Sequence, residues 1–292
     1  MALDGEKFIN VEGVRTRYVD RGTGDTIVLF HGGNFGSTGS ADASDDWGGT
    51  IDDIAKWGRV VAIDKLGQGY TDNPKSDDDY TMAAVVKHAY QTLRTLGIES
   101  AHLVGHSRGG YLTCRLTVDY PAIAKSCVIV SSNTCAPGTG GNEKAFANQP
   151  KPSLTAESQR WVLEHYSYSA DCVTDEWVEA LAAIAQQQSY AEAVEKMTQE
   201  GYLWTKFLPG LSTDKEEMFQ ILQTRGIQRP VLQIWGYNDP TVSHAQAYDL
   251  YRILAEKERR ARWQTLNEAG HFCYREQRKR FNEVLQSFIM NA

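Results

Sequence analysis

The sequence predicts an α/β protein: a mostly parallel, twisted sheet flanked by helices, with a helical subdomain inserted before the last strands. Three observations predict it. Short continuous apolar runs rich in Val and Ile alternate with amphipathic helical patterns through residue 134, as expected of strands buried on both faces and connected by helices. The alternation then stops, and residues 153–225 carry helical patterns with no strand signal. It resumes after Arg229-Pro230. The expected organisation is a core of residues 1–134 and 229–292 and a helical lid of residues 135–228.

The elements follow in order. Phe8–Val11 and Val14–Tyr18 flank Glu12-Gly13 and read as a β-hairpin. Thr26–Phe30 is a buried strand ending at His31-Gly32-Gly33, and Arg59–Ile63 is a second ending at Asp64. Met82, Val85, Val86, Ala89, Leu93 and Leu96 share one helical face, and Gly97 stops the helix. Ala101–Val104 is a third strand, ending at Gly105-His106-Ser107-Arg108-Gly109-Gly110. Tyr111, Leu112, Arg115 and Leu116 continue as a helix that ends before Pro121. Ser126–Val130 is a fourth strand, ending at Ser131-Ser132-Asn133, and the Gly- and Pro-rich residues 135–152 are a connection. After the insertion come a strand at Val231–Trp235, a helix over 244–257, a strand at Trp263–Leu266, and a final amphipathic helix through Phe281, Leu285 and Phe288. Ligands of such sheets bind at the carboxyl ends of the strands. His31, Asp64, Ser107 and Asn133 all stand at such ends.

Bulk properties exclude several function classes. Among 292 residues, 41% are hydrophobic and 23% charged, with a net charge of −7, which disfavours nucleic acid and anionic membranes as partners. No apolar stretch reaches about 18 residues, so no transmembrane helix is expected. The amino terminus lacks the basic start and apolar core of a secretory signal. The five cysteines show no C-x-x-C spacing, which fits a reduced, cytoplasmic protein without a structural metal site.

The chemistry is carried by G-x-S-x-G between a strand and a helix. Gly105 and Gly109 let the strand and helix close together, and the turn lifts the Ser107 hydroxyl above the sheet. A serine hydroxyl needs a base, and the base needs an orienting acid. His271, just past the last strand, is the candidate base, and Asp239, past the preceding strand, the candidate acid. Their order along the chain is Ser, then Asp, then His. The negative charge that develops on a carbonyl oxygen needs fixed donors. The backbone N–H groups of Arg108, at a helix start, and of Gly33, in the His31-Gly32-Gly33-Asn34 loop, are the candidates. His31 is expected to brace that loop, and His106 to point away from the nucleophile. Asn34, Trp47, Trp161, Trp177, Leu181 and Phe272 are the expected pocket residues.

Taken together, His31-Gly32-Gly33, Asp64 to Gly69, Gly105 to Gly110, Asp239 and His271 resemble the α/β-hydrolases over nearly the whole chain. The resemblance implies the α/β-hydrolase fold. The serine separates the chain from epoxide hydrolases and haloalkane dehalogenases, which use an aspartate. Within the fold the chain looks like the meta-cleavage product hydrolases, which cleave a carbon–carbon bond in vinylogous 1,5-diketones from aromatic degradation. The similar segments are Leu154–Ser158, Tyr168–Asp171 and Val173–Trp177 of the lid, and Trp47 after Asp45-Asp46. The departures are His106 where that family has Asn, Arg108 where it has Met or Leu, and Phe272 where it often has Trp. Leu181 falls where that family has a lid arginine that contacts the dienoate, and Arg160 could replace it only from a different helical position.

The leucine at 181 in place of that arginine points to a less acidic substrate. The expectation is a serine hydrolase, with no cofactor and no metal, acting on a small, largely apolar ester, lactone or diketone-type carbon–carbon bond. Its alternatives are a meta-cleavage hydrolase proper, a slow-turnover ligand receptor on the same fold, and an oxygenase using only the His-Asp pair. The expected partner is a small molecule, with neither nucleic acid nor membrane. Members of that family are often oligomers, so the resemblance also points to a homodimer.

Overall fold

The computed structural model describes residues 3–138 and 146–292. Part of the connection expected over 135–152, and Met1 and Ala2 of the amino-terminal reading, lie outside the described residues. In chain order the core elements are β1 (Glu6–Val11), β2 (Val14–Arg21), β3 (Thr26–Phe30), α1 (Gly49–Ile54), β4 (Arg59–Ile63), α2 (Met82–Thr95), β5 (Ala101–His106), α3 (Arg108–Asp119) and β6 (Ala124–Val130). Then come α4 (Ala156–Tyr166), α5 (Asp175–Ala185), α6 (Gln188–Thr198) and α7 (Leu208–Thr224). The chain ends with β7 (Val231–Gly236), α8 (His244–Lys257), β8 (Arg262–Leu266), α9 (Cys273–Glu276) and α10 (Arg278–Ile289). Among the described residues, no helix is long and apolar enough to cross a membrane.

The eight strands form one sheet in the order β1-β2-β4-β3-β5-β6-β7-β8. The first hairpin pairs antiparallel, β2 runs antiparallel to β4, and every pair from β4 through β8 is parallel. Chain direction across the sheet reverses between β3 and β5. β4 lies on one side of that pair and β6 to β8 on the other, so the crevice above β3 and β5 is the switch point at which ligands bind.

The sheet forms because both of its faces are apolar. Val28 faces Val61 on one side and Leu103 on the other in register, and all three are fully buried among α2, α3 and α8. Leu29, Ala62 and Val104 point to the opposite face, toward Trp47, Ile54 and Phe281. Burying side chains of this size contributes roughly 1.5–3 kcal/mol each. Helix α2 buries the stripe predicted from its periodicity, and the Thr81 hydroxyl accepts from Ala84 N at 3.2 Å to cap its start. Gly97, at φ +70°, ends it in the left-handed region that favours glycine.

Helices α4 to α7 fill the interval between β6 and β7 and are tied to the core at several points. The Tyr190 hydroxyl donates to Ser37 O and Ser40 O at 2.7 and 2.9 Å. Trp177 Nε1 donates to Asp46 Oδ1 at 2.9 Å, and His271 N donates to Tyr166 O at 2.7 Å. The loop after β3 is clamped from below by a buried ion-pair network that nothing in the sequence pattern announces. Arg17 reaches Asp45 at 2.6 Å, Asp64 at 3.1 Å and Glu6 at 2.8 Å. Asp64 also accepts from Ser44 N and Tyr70 N.

Candidate active site

Ser107 sits between β5 and α3 at φ +53° and ψ −122°, a conformation that costs a non-glycine residue roughly 1–3 kcal/mol. Its neighbours hold it there. Ser107 N donates to Val130 O at 2.9 Å, and Ser132 Oγ donates to Ser107 O at 2.5 Å. The turn closes only over glycine. A Cβ on Gly105 would lie 1.9 Å from Gly109 O, and one on Gly109 would lie 2.3 Å from Phe30 O. The serine is thereby half-buried on the floor of a cavity of about 300 Å³.

His271 lines the same cavity. Its Nδ1 lies 2.9 Å from Asp239 Oδ2 and 3.0 Å from Thr241 Oγ1. Thr241 has one hydroxyl hydrogen, which goes to Asp239 Oδ1 at 2.8 Å, and Thr241 N donates to the same oxygen at 2.8 Å. Both neighbours of Nδ1 therefore accept, so Nδ1 carries the proton. Nε2 is left with a lone pair. No hydrogen bond joins Ser107 to His271 among the described residues, a looseness common before substrate binds.

The loop bearing His271 is fixed by two side chains. His106 Nε2 donates to His271 O at 3.0 Å, and its Nδ1 accepts from the Tyr274 hydroxyl at 3.3 Å. Glu276 accepts from Gly270 N at 2.8 Å and Tyr168 N at 2.6 Å. Burial holds the His106 pKa well below its ordinary value, so the ring stays neutral.

Opposite stands the loop after β3. Gly33, at φ +76°, and Arg108, at the first turn of α3, have backbone N–H groups with no hydrogen-bond partner among the described residues. Lys65 Nζ donates to Gly33 O at 3.0 Å. His31 donates from Nδ1 to Gly32 O at 2.9 Å and accepts at Nε2 from Lys65 N at 3.1 Å. Burial pushes the His31 pKa down to about 3, so this brace is neutral. Two orphan donors beside a strained serine can hold an oxyanion.

The Asp42 carboxyl packs over Gly33, 2.3 Å from the point where a Cβ would stand. Burial pushes its pKa up, against the pull of Lys65, His271 and Arg108.

The structure thus brings together Ser107, Asp239, His271, Gly33 and Arg108. Of the expected pocket residues, Asn34 and Phe272 line the cavity, and Trp47, Trp161, Trp177 and Leu181 do not. Trp47 is fully buried behind the site, its ring 4.4 Å from Tyr274. Trp177 is buried against Asp46 with Arg275 over its ring, and Leu181 lies in the interior packing of the helices. Trp161 stacks on His165 at 3.8 Å. Periodicity marks these four as buried or packed but does not say against what.

The actual wall is less apolar than the sequence suggests. Phe272, Tyr166 and Phe146 share it with Asp42, Arg108 and Ser37. Arg160 pairs with Asp175 and bonds Val173 O, outside the cavity. Sequence reasoning missed Thr241, Asp42 and Glu276. It also missed the role of His106, which lines the cavity while its nitrogens anchor the base's loop. A hydroxyl two residues after the candidate acid was the one available signal for Thr241.

A family model described as alpha/beta hydrolase fold matches residues 25–276. The chain is similar to 2-hydroxymuconate semialdehyde hydrolase of Pseudomonas sp. (strain CF600), 27% identical over 281 residues that cover 96% of this chain and 92% of that protein. It is 29% identical over 304 residues to 2-hydroxy-6-oxononadienedioate/2-hydroxy-6-oxononatrienedioate hydrolase of Paraburkholderia phymatum, covering 97% and 95%. Among solved structures, a serine-to-alanine mutant of the meta-cleavage product hydrolase from Pseudomonas fluorescens IP01, complexed with acetates, matches with a TM-score of 0.78 and 26% identity. That match covers 98% of this chain and 97% of that one.

Proposed function

The chain belongs to the alpha/beta hydrolase fold family, and on that premise we propose that it is a serine-nucleophile hydrolase of a small carbonyl compound. The observation that carries the reading is the His271–Asp239 pair with Nδ1 protonated and Nε2 free, in one cavity with Ser107. Ser107 Oγ attacks the carbonyl carbon as its proton passes to His271 Nε2. The oxyanion is held by the N–H groups of Gly33 and Arg108. The bond to the leaving group breaks, and the leaving atom takes the proton from Nε2. Water then adds to the acyl-serine by the same route, returning the proton to Ser107 and releasing the acid. Asp239 keeps the ring in the required tautomer and stabilises the imidazolium.

The same steps cleave an ester, a lactone or a carbon–carbon bond, provided that in the last case a neighbouring carbonyl stabilises the departing carbanion. Near full-length similarity to hydrolases of dienoate semialdehydes and dienedioates favours the carbon–carbon reaction.

The test compares a hydroxy-oxo-dienoate with a short aryl ester, using Ser107→Ala as the blank. Turnover of at least one should fall by roughly 10³-fold or more in the variant, with an unchanged thermal transition. Full activity in Ser107→Ala overturns the nucleophile. A wild-type rate far under the usual ~1 per second on both favours a ligand receptor.

A further inference from the structure

Arg108 lines the cavity, and its guanidinium has no hydrogen-bond or ion-pair partner among the described residues. It stands over the ring of Phe207, with Cζ 5.2 Å from the ring centroid. The other arginines withdrawn into the fold are fully engaged. Arg17 meets three carboxylates, and Arg275 donates to Asp45 O and Asp46 O at 2.6 and 2.5 Å. A guanidinium presents five donors in a planar fork that matches a carboxylate, and leaving them idle in a confined space is costly. Arg108 is also not cancelled by its neighbour. Asp42 acts on it through space but forms no ion pair with it.

The cavity has two ends. Beside His271 stands an aromatic wall, with Tyr166 5.3 Å and Phe272 5.6 Å from the imidazole. Arg108 lies over Phe207, and Met197, Thr198 and Leu203 line the same cavity. His271 must hand a proton to the leaving group, so the leaving group occupies the aromatic end. The acyl part that stays on Ser107 then extends toward Arg108.

We propose that Arg108 is the specificity-determining residue of this cavity, its guanidinium binding a carboxylate carried on the acyl part of the substrate. The preferred substrates are then carbonyl compounds with an anionic acyl tail. The inference rests on the reading of Ser107 as nucleophile. It places the cation on the turn beside the nucleophile, where the sequence suggested that the missing arginine at 181 left none.

The experiment compares kcat/KM for 4-nitrophenyl hemiglutarate with that for 4-nitrophenyl pentanoate, a neutral ester of similar length. Arg108 also supplies a backbone N–H to the oxyanion, so the readout is the ratio of the two substrates within each variant. The wild-type protein should favour the hemiglutarate by roughly 10- to 100-fold, the range of a charge-assisted hydrogen bond. Arg108→Leu should abolish that preference through KM, and Arg108→Lys should restore part of it. A ratio near one in the wild-type protein, or one that Arg108→Leu leaves standing, overturns the proposal.

Calorimetry of glutaric acid monoanilide binding separates the two readings. Ser107→Ala should bind it at least tenfold more tightly than Ser107→Ala/Arg108→Leu does, by roughly the same bond, whether or not Ser107 is the nucleophile. Equal binding by the two overturns the carboxylate site on its own.

Discussion

The two ends of the cavity are built on opposite terms. At the β7–β8 end, Asp239, Thr241 and His271 satisfy one another, and His106 and Glu276 hold the backbone that carries the histidine. At the end formed by the β3 loop and α6, the Arg108 guanidinium and the Asp42 carboxyl have no ion-pair partner among the described residues. Thr241 and His271 are buried, whereas Asp42 and Arg108 are half-buried and reach the cavity. A network that is complete in the protein keeps its geometry whatever is bound. A charge left open in a confined site gains its partner only from a ligand. The first end is set up for a reaction and the second for a choice of substrate, and mutations in the two should fail in different kinetic constants.

The sharpest break at the complete end is Asp239→Asn. Thr241 N and Oγ1 both donate to Oδ1, so the amide oxygen of the asparagine takes that position. Its NH₂ then faces His271 Nδ1 and forces the proton onto Nε2. A base in that tautomer cannot take the Ser107 proton, and kcat should fall by roughly 10⁴-fold with little change in KM. A loss of less than about tenfold would mean that His271 does not activate Ser107. Beside this, the Arg108 substitutions should cost less and act on KM.

Thr241→Val probes the same end more gently. Valine keeps the shape, and the backbone N–H still donates to Asp239, but the hydroxyl bond at 2.8 Å is lost. One charge-assisted bond of about 1.5 kcal/mol corresponds to roughly a tenfold loss of kcat. Steady-state kinetics on the best substrate checks it. A change confined to KM would place Thr241 with the substrate-selecting end instead.

How much of this was legible in the sequence follows the same division. The strands were readable because runs such as Thr26–Phe30 are apolar on both faces, and Ser107, Asp239 and His271 because each falls just past a strand. Chain order and strand ends are one-dimensional information. The walls of the cavity are not. Trp177 and Leu181 share an apolar face as expected, but that face packs onto the 44–47 segment and not onto the nucleophile. Arg108 was visible as a departure from the family pattern, yet only the direction of its side chain, over Phe207, turns it into a recognition element. Asp42 stands in a run with Asp45 and Asp46, and nothing in the run says that one carboxyl packs on Gly33 while another pairs with Arg17.

The smallest effect on activity should come from Trp177→Phe, which tests where the two regions end. Trp177 Nε1 donates to Asp46 Oδ1, and Ala43 N donates to its other oxygen at 3.2 Å. Burial and the nearby Asp42 both push the Asp46 pKa well above its ordinary value. Phenylalanine keeps most of the packing but leaves one buried carboxyl oxygen without its donor, at a cost of roughly 1–3 kcal/mol of stability. The thermal transition should drop accordingly, while kcat and KM stay within about twofold of the wild-type values, the scatter of a site that merely supports the fold. Asp42 acts on Asp46 through space, which gives a route by which the loss could travel. If KM for an anionic substrate shifts along with stability, Asp46 belongs to the open end, and the charge seen by the substrate is set by three groups and not two. If stability alone moves, the boundary lies between Asp42 and Asp46. The carboxyl over Gly33 and the Arg108 guanidinium are then the whole of the selecting charge.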